Sequence, residues 1–267
     1  MKNVFLILLC FIALTGCYNV ENKNMSNNKP SKIPELVIYC ENGLVAPIME
    51  ISASFEIKYK CKVKIHNDCA RNLINVMNYS NDVDLFIPDS YYSMLWLKQI
   101  DPSIILDSLY IGDNKLVFIV KKGNPLNFDG SFSSILSENF PVVLSNPETG
   151  SLGYETMKLL KDNDLYDELI NSVIYLAVDS RGLARSVVNN ESEIAIDWLS
   201  SYYNNMADKI DTINIKVNYK NPQVYAAILK NTKHKGLSYS FLALLSTSES
   251  TEIFAKHGII KSRKTIS

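Results

Sequence analysis

Three times between residues 36 and 100 a short apolar run gives way to a segment with helical spacing. "LVIYC" (Leu36 to Cys40) precedes "ENGLVAPIMEISASFEIKYK", where Leu44, Ile48, Ile51 and Phe55 share one helical face and Pro47 sits in the first turn, where proline is tolerated. "CKVKIH" alternates like a strand and leads into "NDCARNLINVMN", with Leu73, Val76 and Met77 on one face. "VDLFIP" leads into the helical "SYYSMLWLKQI". This β-α-β-α-β-α order constrains the fold strongly. Parallel strands need a long crossover, a helix is the usual one, and the product is an α/β layer with helices on a mostly parallel sheet.

The pattern then repeats. "NKLVFIVKKGNP" reads as a strand closed by a Gly-Asn-Pro turn, and "FPVVLSN" as a strand before the helical "GYETMKLLKDNDLYDELI". "SVIYLAV" precedes the helical "RGLARSVVNN", and "SEIAIDWLSSYY" runs from strand into helix. "INIKVNY" and "QVYAAILK" are expected strands, and from Leu237 the chain reads helical, stopping at Gly258. Two α/β units imply two lobes: the first from 33–111 with 215–267 returning to it, the second from 112–214.

Ligands of open parallel sheets sit beyond the carboxyl ends of the strands, so two facing lobes would share one cleft. Four strand-to-helix loops are expected to line it: "CENGL", "HNDCARN", "NPETGSLGY" and "VDSRGLA". Each carries a small or polar residue suited to an N-cap, such as Asn42, Asp68, Thr149 or Ser180. A helix start offers unpaired N–H groups and the positive end of its dipole, and Gly150 and Gly153 let another group approach. Such starts suit an anion.

Lys plus Arg (27) nearly balances Asp plus Glu (28), which argues against a nucleic-acid partner, since that needs a basic face. The chain opens "MKNVFLILLCFIALTGC", a charged start and a short apolar run that fits a secretory signal and falls short of a spanning helix. "LTGC" resembles the lipobox of bacterial lipoproteins. This implies cleavage before Cys17, a lipid on that residue, and a membrane-anchored protein on the periplasmic or cell-surface side. Residues 1–17 are then the signal, and the Asn- and Lys-rich 18–32 a flexible tether. Cys40, Cys61 and Cys69 form no CxxC pair, so no metal knuckle is expected; Cys40 and Cys69 could form a disulfide if their strands are neighbours.

In order and spacing these pieces resemble the periplasmic molybdate-binding proteins, solute receptors of molybdate import. "LVIYCENGLVAPIMEISASFE" resembles the family's opening strand and helix, and "DVDLFIP" its "ADVFIS" strand. "NPETGSLGYETMKLL" matches a "DPETxxxG" loop in register. "SRGLARSVVNNESEIAI" resembles a "VRxALxxVxxGEADAGI" segment, and "VYAAILKNTK" and "STSESTEIFAKHGI" its closing strand and helix. The resemblance implies a two-lobed periplasmic-binding-protein-like fold that hinges near Ile111–Asn114 and Asn214–Asn221. It would close on a tetrahedral oxyanion, molybdate or tungstate first, for delivery to an ABC permease.

By position, the implied contacts fall at Asn42 or Gly43 and at Ala70 or Arg71 in the first lobe. In the second they fall at Gly150, Ser151 and Leu152, at Ser180 and Arg181, and at the ring of Trp198. The family's two first-lobe serines are missing here, and Trp198 replaces its tyrosine. Arg71, a guanidinium that suits a carboxylate or phosphate fork, keeps open a small organic anion, carboxylated or phosphorylated. A surface adhesion protein that has kept the fold is a further alternative, and predicts a wide, uncharged cleft. Asp68 and Asp179 are expected to cap helices; a carboxylate there would repel molybdate but accept the proton of a monohydrogen phosphate. No HExxH, GxSxG or GxxxxGK occurs and the three histidines are scattered, so neither an enzyme nor a cofactor is expected.

Overall fold

The computed structural model describes residues 33–80, 82–203 and 207–261. The signal, the tether and Cys17 lie outside them. Ten strands form two sheets: β1 (Glu35–Glu41), β2 (Lys62–Asp68), β3 (Leu85–Ile87), β4 (Ile105–Asp113), β5 (Leu116–Lys121), β6 (Val142–Ser145), β7 (Val173–Ala177), β8 (Ile194–Trp198), β9 (Ile210–Asn214) and β10 (Gln223–Leu229). The helices between and after them are α1 (Val45–Tyr59), α2 (Ala70–Met77), α3 (Tyr91–Ile100), α4 (Phe132–Glu138), α5 (Ser151–Asp162), α6 (Tyr166–Leu169), α7 (Ser180–Val188), α8 (Leu199–Tyr202), α9 (Lys235–Leu245) and α10 (Ser248–Lys256).

The first lobe has strand order β2-β1-β3-β10-β4 and the second β7-β6-β8-β5-β9. β1 runs parallel to β2 and β3, while β10 is antiparallel to β3 and β4. β6 runs parallel to β7 and β8, while β5 is antiparallel to β8 and β9. Each sheet is thus an α/β layer with antiparallel strands at the side where the chain crosses over. The second-lobe sheet takes its strands from a continuous stretch of chain, and the first-lobe sheet receives β10 from the returning segment.

The two-residue side-chain period of β1 explains its double burial. Leu36, Ile38 and Cys40 pack with Ile48, Ile51 and Phe55 of α1 and with Phe241 of α9 and Phe254 of α10. Tyr39 points the other way, against Leu73 and Met77 of α2 and Met94 and Leu97 of α3. The second lobe is built around Phe118, Val143, Ile196 and Trp198, with Leu159 and Leu160 from α5 and Leu183 and Val187 from α7. Both sheets therefore hold helices on both faces, which aims the strand ends at the helix starts.

Several local expectations change. β4 and α4 were not apparent in the sequence. β4 is an edge strand whose middle residues Leu106, Asp107 and Ser108 are exposed, so it lacks an apolar run. The strand expected at 213–219 lies at Ile210–Asn214 instead. Val217 and Tyr219 still pack on the second core, but from the connection, where the Tyr219 hydroxyl donates to the Leu116 carbonyl at 2.7 Å. Cys40, Cys61 and Cys69 are all free thiols: β1 and β2 are neighbours, but Cys40 points into the first core and Cys69 lines the cleft.

The chain crosses between sheets at 114–115 and again at 215–222. Asn114, fully buried, ties the two crossings: its N–H donates to the Pro222 carbonyl at 2.8 Å, and its side-chain amide to the Asp89 carbonyl at 3.3 Å. Among the described residues no helix is long and apolar enough to cross a membrane.

Candidate functional site

The loops after β1, β2 and β3 meet those after β6 and β7 across one cleft. Glu41, Asn42, Cys69 and Asp89 come from the first lobe; Ser145, Gly150, Leu152, Val178, Asp179 and Ser180 come from the second. They enclose a cavity of about 20 Å³, room for roughly one water. Larger hollows exist, such as one of about 300 Å³ between α1 and β2, but that one lies within the first lobe and takes no residue from the second.

Polar contacts bridge the cleft along its length. Ser90 donates to Glu155 at 2.9 Å, Asn42 to Asp179 at 3.2 Å, and the hydroxyls of Ser93 and Ser151 lie 2.5 Å apart. Tyr92 of α3 stacks face to face on Tyr154 of α5. At the rim the Arg71 N–H donates to the Thr149 carbonyl at 2.9 Å.

The helix starts do converge, and their donors meet protein oxygens. At α5 the Ser151 N–H and hydroxyl both donate to the Glu41 carboxylate, at 3.4 and 2.8 Å, and the Asp89 N–H adds a third bond at 2.9 Å. At the 3₁₀ turn before α1, the Gly43 N–H donates to Asp89 Oδ2 at 3.3 Å. At α7 the Gly182 N–H donates to its capping residue Asp179 at 3.1 Å. A Cβ at 150 would lie 2.7 Å from Glu41 Oε1, so a side chain there would push that carboxylate aside. At 153 a Cβ would overlap the Asn146 carbonyl.

The electrostatics are acidic. Glu41, Asp89 and Asp179 line the cavity and no basic side chain does. Burial raises the pKa of Glu41, and burial together with the neighbouring Glu41 charge raises that of Asp89 well above its usual value. Asp89 Oδ1 is buried without a hydrogen-bond partner among the described residues, as is Ser200 Oγ. Both lie beside Gly43, where a Cβ would come within 2.8 and 2.9 Å of them. Behind the cavity Asp197 accepts from the Ser180 hydroxyl and the Trp198 N–H, each at 2.7 Å, and burial pushes its pKa up to about 7. Among the described residues no cluster of His, Cys, Asp and Glu could hold a metal ion.

Two lobes, a polar cleft and facing helix starts are the architecture of a solute receptor, and comparison with known proteins decides the family. The sequence pattern of the bacterial extracellular solute-binding proteins matches residues 36–260. The chain belongs to that family. The receptor is 24% identical over 94% of its length to 94% of YvgL from Bacillus subtilis strain 168, which bears the name of an ABC transporter substrate-binding lipoprotein. Its fold matches the periplasmic molybdate-binding protein of Azotobacter vinelandii with a TM-score of 0.70 at 16% identity, covering 85% of the receptor and 100% of that chain. It matches PEB3, known from Campylobacter jejuni, in its L-phospholactate complex with a TM-score of 0.72 at 16% identity and the same coverage, 85% and 100%. The two-lobed periplasmic-binding-protein-like fold is therefore that of the receptor. It is a non-enzymatic, extracellular solute-binding protein.

The structure brings Asn42, Gly150, Leu152 and Ser180 to the cavity wall. Gly43 and Ser151 reach its acids through their N–H groups, and Ala70 is buried with its N–H 3.4 Å from where a Cβ on Gly150 would sit. Three expected contacts lie elsewhere. The Arg71 guanidinium stacks on Trp96 at 4.7 Å and donates to the Glu148 carbonyl, at the rim. Arg181 is exposed and paired with Asp179 at 2.6 Å. Trp198 is fully buried in the second core, its ring N–H without a partner among the described residues.

Sequence reasoning missed Glu41, Asp89 and Asp197. Each is an acid at the carboxyl end of an apolar strand, in "LVIYCE", "LFIPD" and "IAID". An acid that ends a doubly buried strand is an expensive placement. That cost was the signal.

Proposed function

We propose that the receptor, lipid-anchored through Cys17, captures a small oxyanion at the start of α5 and presents it to its permease by hinge closure of the lobes about 114–115 and 215–222. One observation carries the anion assignment: the Ser151 N–H and hydroxyl already hold a carboxylate, that of Glu41. Donors that hold a tethered oxyanion are suited to hold a free one. Asn42, Gly43, Ala70, Gly150, Leu152 and Ser180 complete the contact set, and Arg71 and Arg181 brace the rim.

Within that class the acids rank the ligands. Once ionised, an acid beside a bare dianion is repulsive, whereas a ligand hydroxyl or acidic proton then gives the buried Asp89 Oδ1 the donor it lacks; the raised pKa of Asp89 makes this preference strengthen as the pH rises. A monohydrogen phosphate or a phosphoryl compound comes first on this ground. A PEB3 complex with L-phospholactate has the same fold. Molybdate and tungstate come second, supported by the shared fold of a molybdate-binding protein. An adhesion role expects a wide, uncharged cleft, and this one is narrow and acidic.

Thermal unfolding of the full chain with phosphate, a phosphate monoester, molybdate, tungstate or sulfate tests the assignment. A ligand at about 100 times its dissociation constant adds roughly 2.7 kcal/mol of stability. No shift with any of the five would remove the oxyanion assignment.

A further inference from the structure

Glu41 stands where an incoming anion would have to bind. Its carboxylate, at the end of β1 in one lobe, takes both donors of Ser151 at the start of α5 in the other lobe, at 3.4 and 2.8 Å. It also takes the Asp89 N–H at 2.9 Å, so it is satisfied from both sides of the cleft. The fit is close. Gly150 leaves no side chain where one would sit 2.7 Å from Oε1, and Glu41 is only 3% exposed. The remaining cavity, about 20 Å³, has room for about one water and for no tetrahedral oxyanion.

We infer that Glu41 is a tethered competitor, and that ligand capture is an exchange in which its carboxylate is displaced from the start of α5. The inference rests on the proposal that an oxyanion binds there, and it makes Glu41 a determinant of specificity. A simple monocarboxylate offers Ser151 nothing that Glu41 does not already supply, and Glu41 has no translational freedom to lose on binding. Acetate-like solutes are therefore rejected. A tetrahedral oxyanion has further oxygens and can reach donors that a planar carboxylate leaves unused, so it wins the exchange. Glu41 also links the lobes, so its displacement is coupled to the geometry of closure.

The test compares the full chain with Glu41→Ala and Glu41→Gln, using sodium acetate as the probe at constant ionic strength, with phosphate and molybdate in parallel. Acetate should stabilise Glu41→Ala against thermal unfolding by refilling the carboxylate position, and should leave the wild type unmoved. The Glu41→Ala variant should also bind phosphate or molybdate at least tenfold more tightly than the wild type. Glu41→Gln, which keeps shape and one acceptor but loses the charge, should fall between; it carries the test if the alanine variant does not fold. Acetate acting equally on wild type and variant, or oxyanion affinity that is unchanged or weaker in both variants, would overturn the inference. If acetate rescues Glu41→Ala but no oxyanion binds any of the three proteins, Glu41 holds the donors as inferred, but the oxyanion proposal fails and the exchange with it. If oxyanions bind all three equally, the proposal stands and the exchange fails alone.

Discussion

The hydroxyl of Ser151 donates to the carboxylate of Glu41 at 2.8 Å, joining the start of α5 in one lobe to the end of β1 in the other. The same hydroxyl lies 2.5 Å from that of Ser93. Ser151→Ala removes both contacts and leaves buried partners under-satisfied, at a cost of about 1–3 kcal/mol. Urea unfolding should show a lower midpoint with an unchanged slope. An unaltered midpoint would mean that these bonds add nothing to the closed arrangement.

Gly153 sits in the first turn of α5 against the Asn146 carbonyl and the Pro147 nitrogen, with no room for a methyl group. Gly153→Ala must push α5 away from the loop after β6 and carry Ser151 with it. Overpacking of this kind costs about 1–3 kcal/mol. Denaturant titration should show that loss, and the stabilising response to oxyanions should fall with it. A variant with full stability would show that the loop can yield.

The buried acids set the pH response. Asp197 has a pKa raised from its ordinary 3.8 to about 7 by burial, and Glu41 and Asp89 move in the same direction. Up to about pH 7 the folded state therefore holds a proton on Asp197 that the unfolded chain has released. The stability this gives is fully present below about pH 4 and is lost as the pH rises through about 7. For Asp197 alone the change is on the order of 4 kcal/mol. Asp197→Asn keeps an acceptor for the Ser180 hydroxyl and the Trp198 N–H, so it should flatten this fall. Thermal midpoints measured across the window check it. A wild type equally stable at both ends would contradict the buried, protonated state.

Arg71 stacks on Trp96 and reaches the Glu148 carbonyl, and its own N–H bonds Thr149. Arg71→Ala keeps the N–H bond and loses the side-chain contacts, worth about 0.5–1 kcal/mol at an exposed site. Oxyanion affinity should change by less than about fivefold. Calorimetric titration of the variant checks this. A loss of a hundredfold would put the guanidinium on the ligand after all.

The layer architecture was legible because strand and helix periods differ and because Leu36, Ile38, Leu85 and Ile87 form unbroken apolar runs in strands buried on both faces. β4 escaped because an edge strand with exposed Asp107 and Ser108 has no such run. Asn42, Gly150 and Ser180 reached the cleft because strand-to-helix loops sit at predictable ends of a parallel sheet. What position alone could not supply was side-chain direction. Arg71 turns outward because Trp96, twenty-five residues on, offers it a ring face; Trp198 turns inward because the second core has space for it. The pairing of Glu41 with Ser151 spans 110 residues and depends on both lobes being folded.

Calorimetric titration of the wild type and of Ser151→Ala with phosphate, a phosphate monoester, molybdate, tungstate and sulfate tests most directly whether the start of α5 is an oxyanion site. The predicted result is saturable one-to-one binding of at least one of these by the wild type, clearly weaker in Ser151→Ala. Heats at the level of dilution for all five, or binding that Ser151→Ala leaves unaltered, would contradict it.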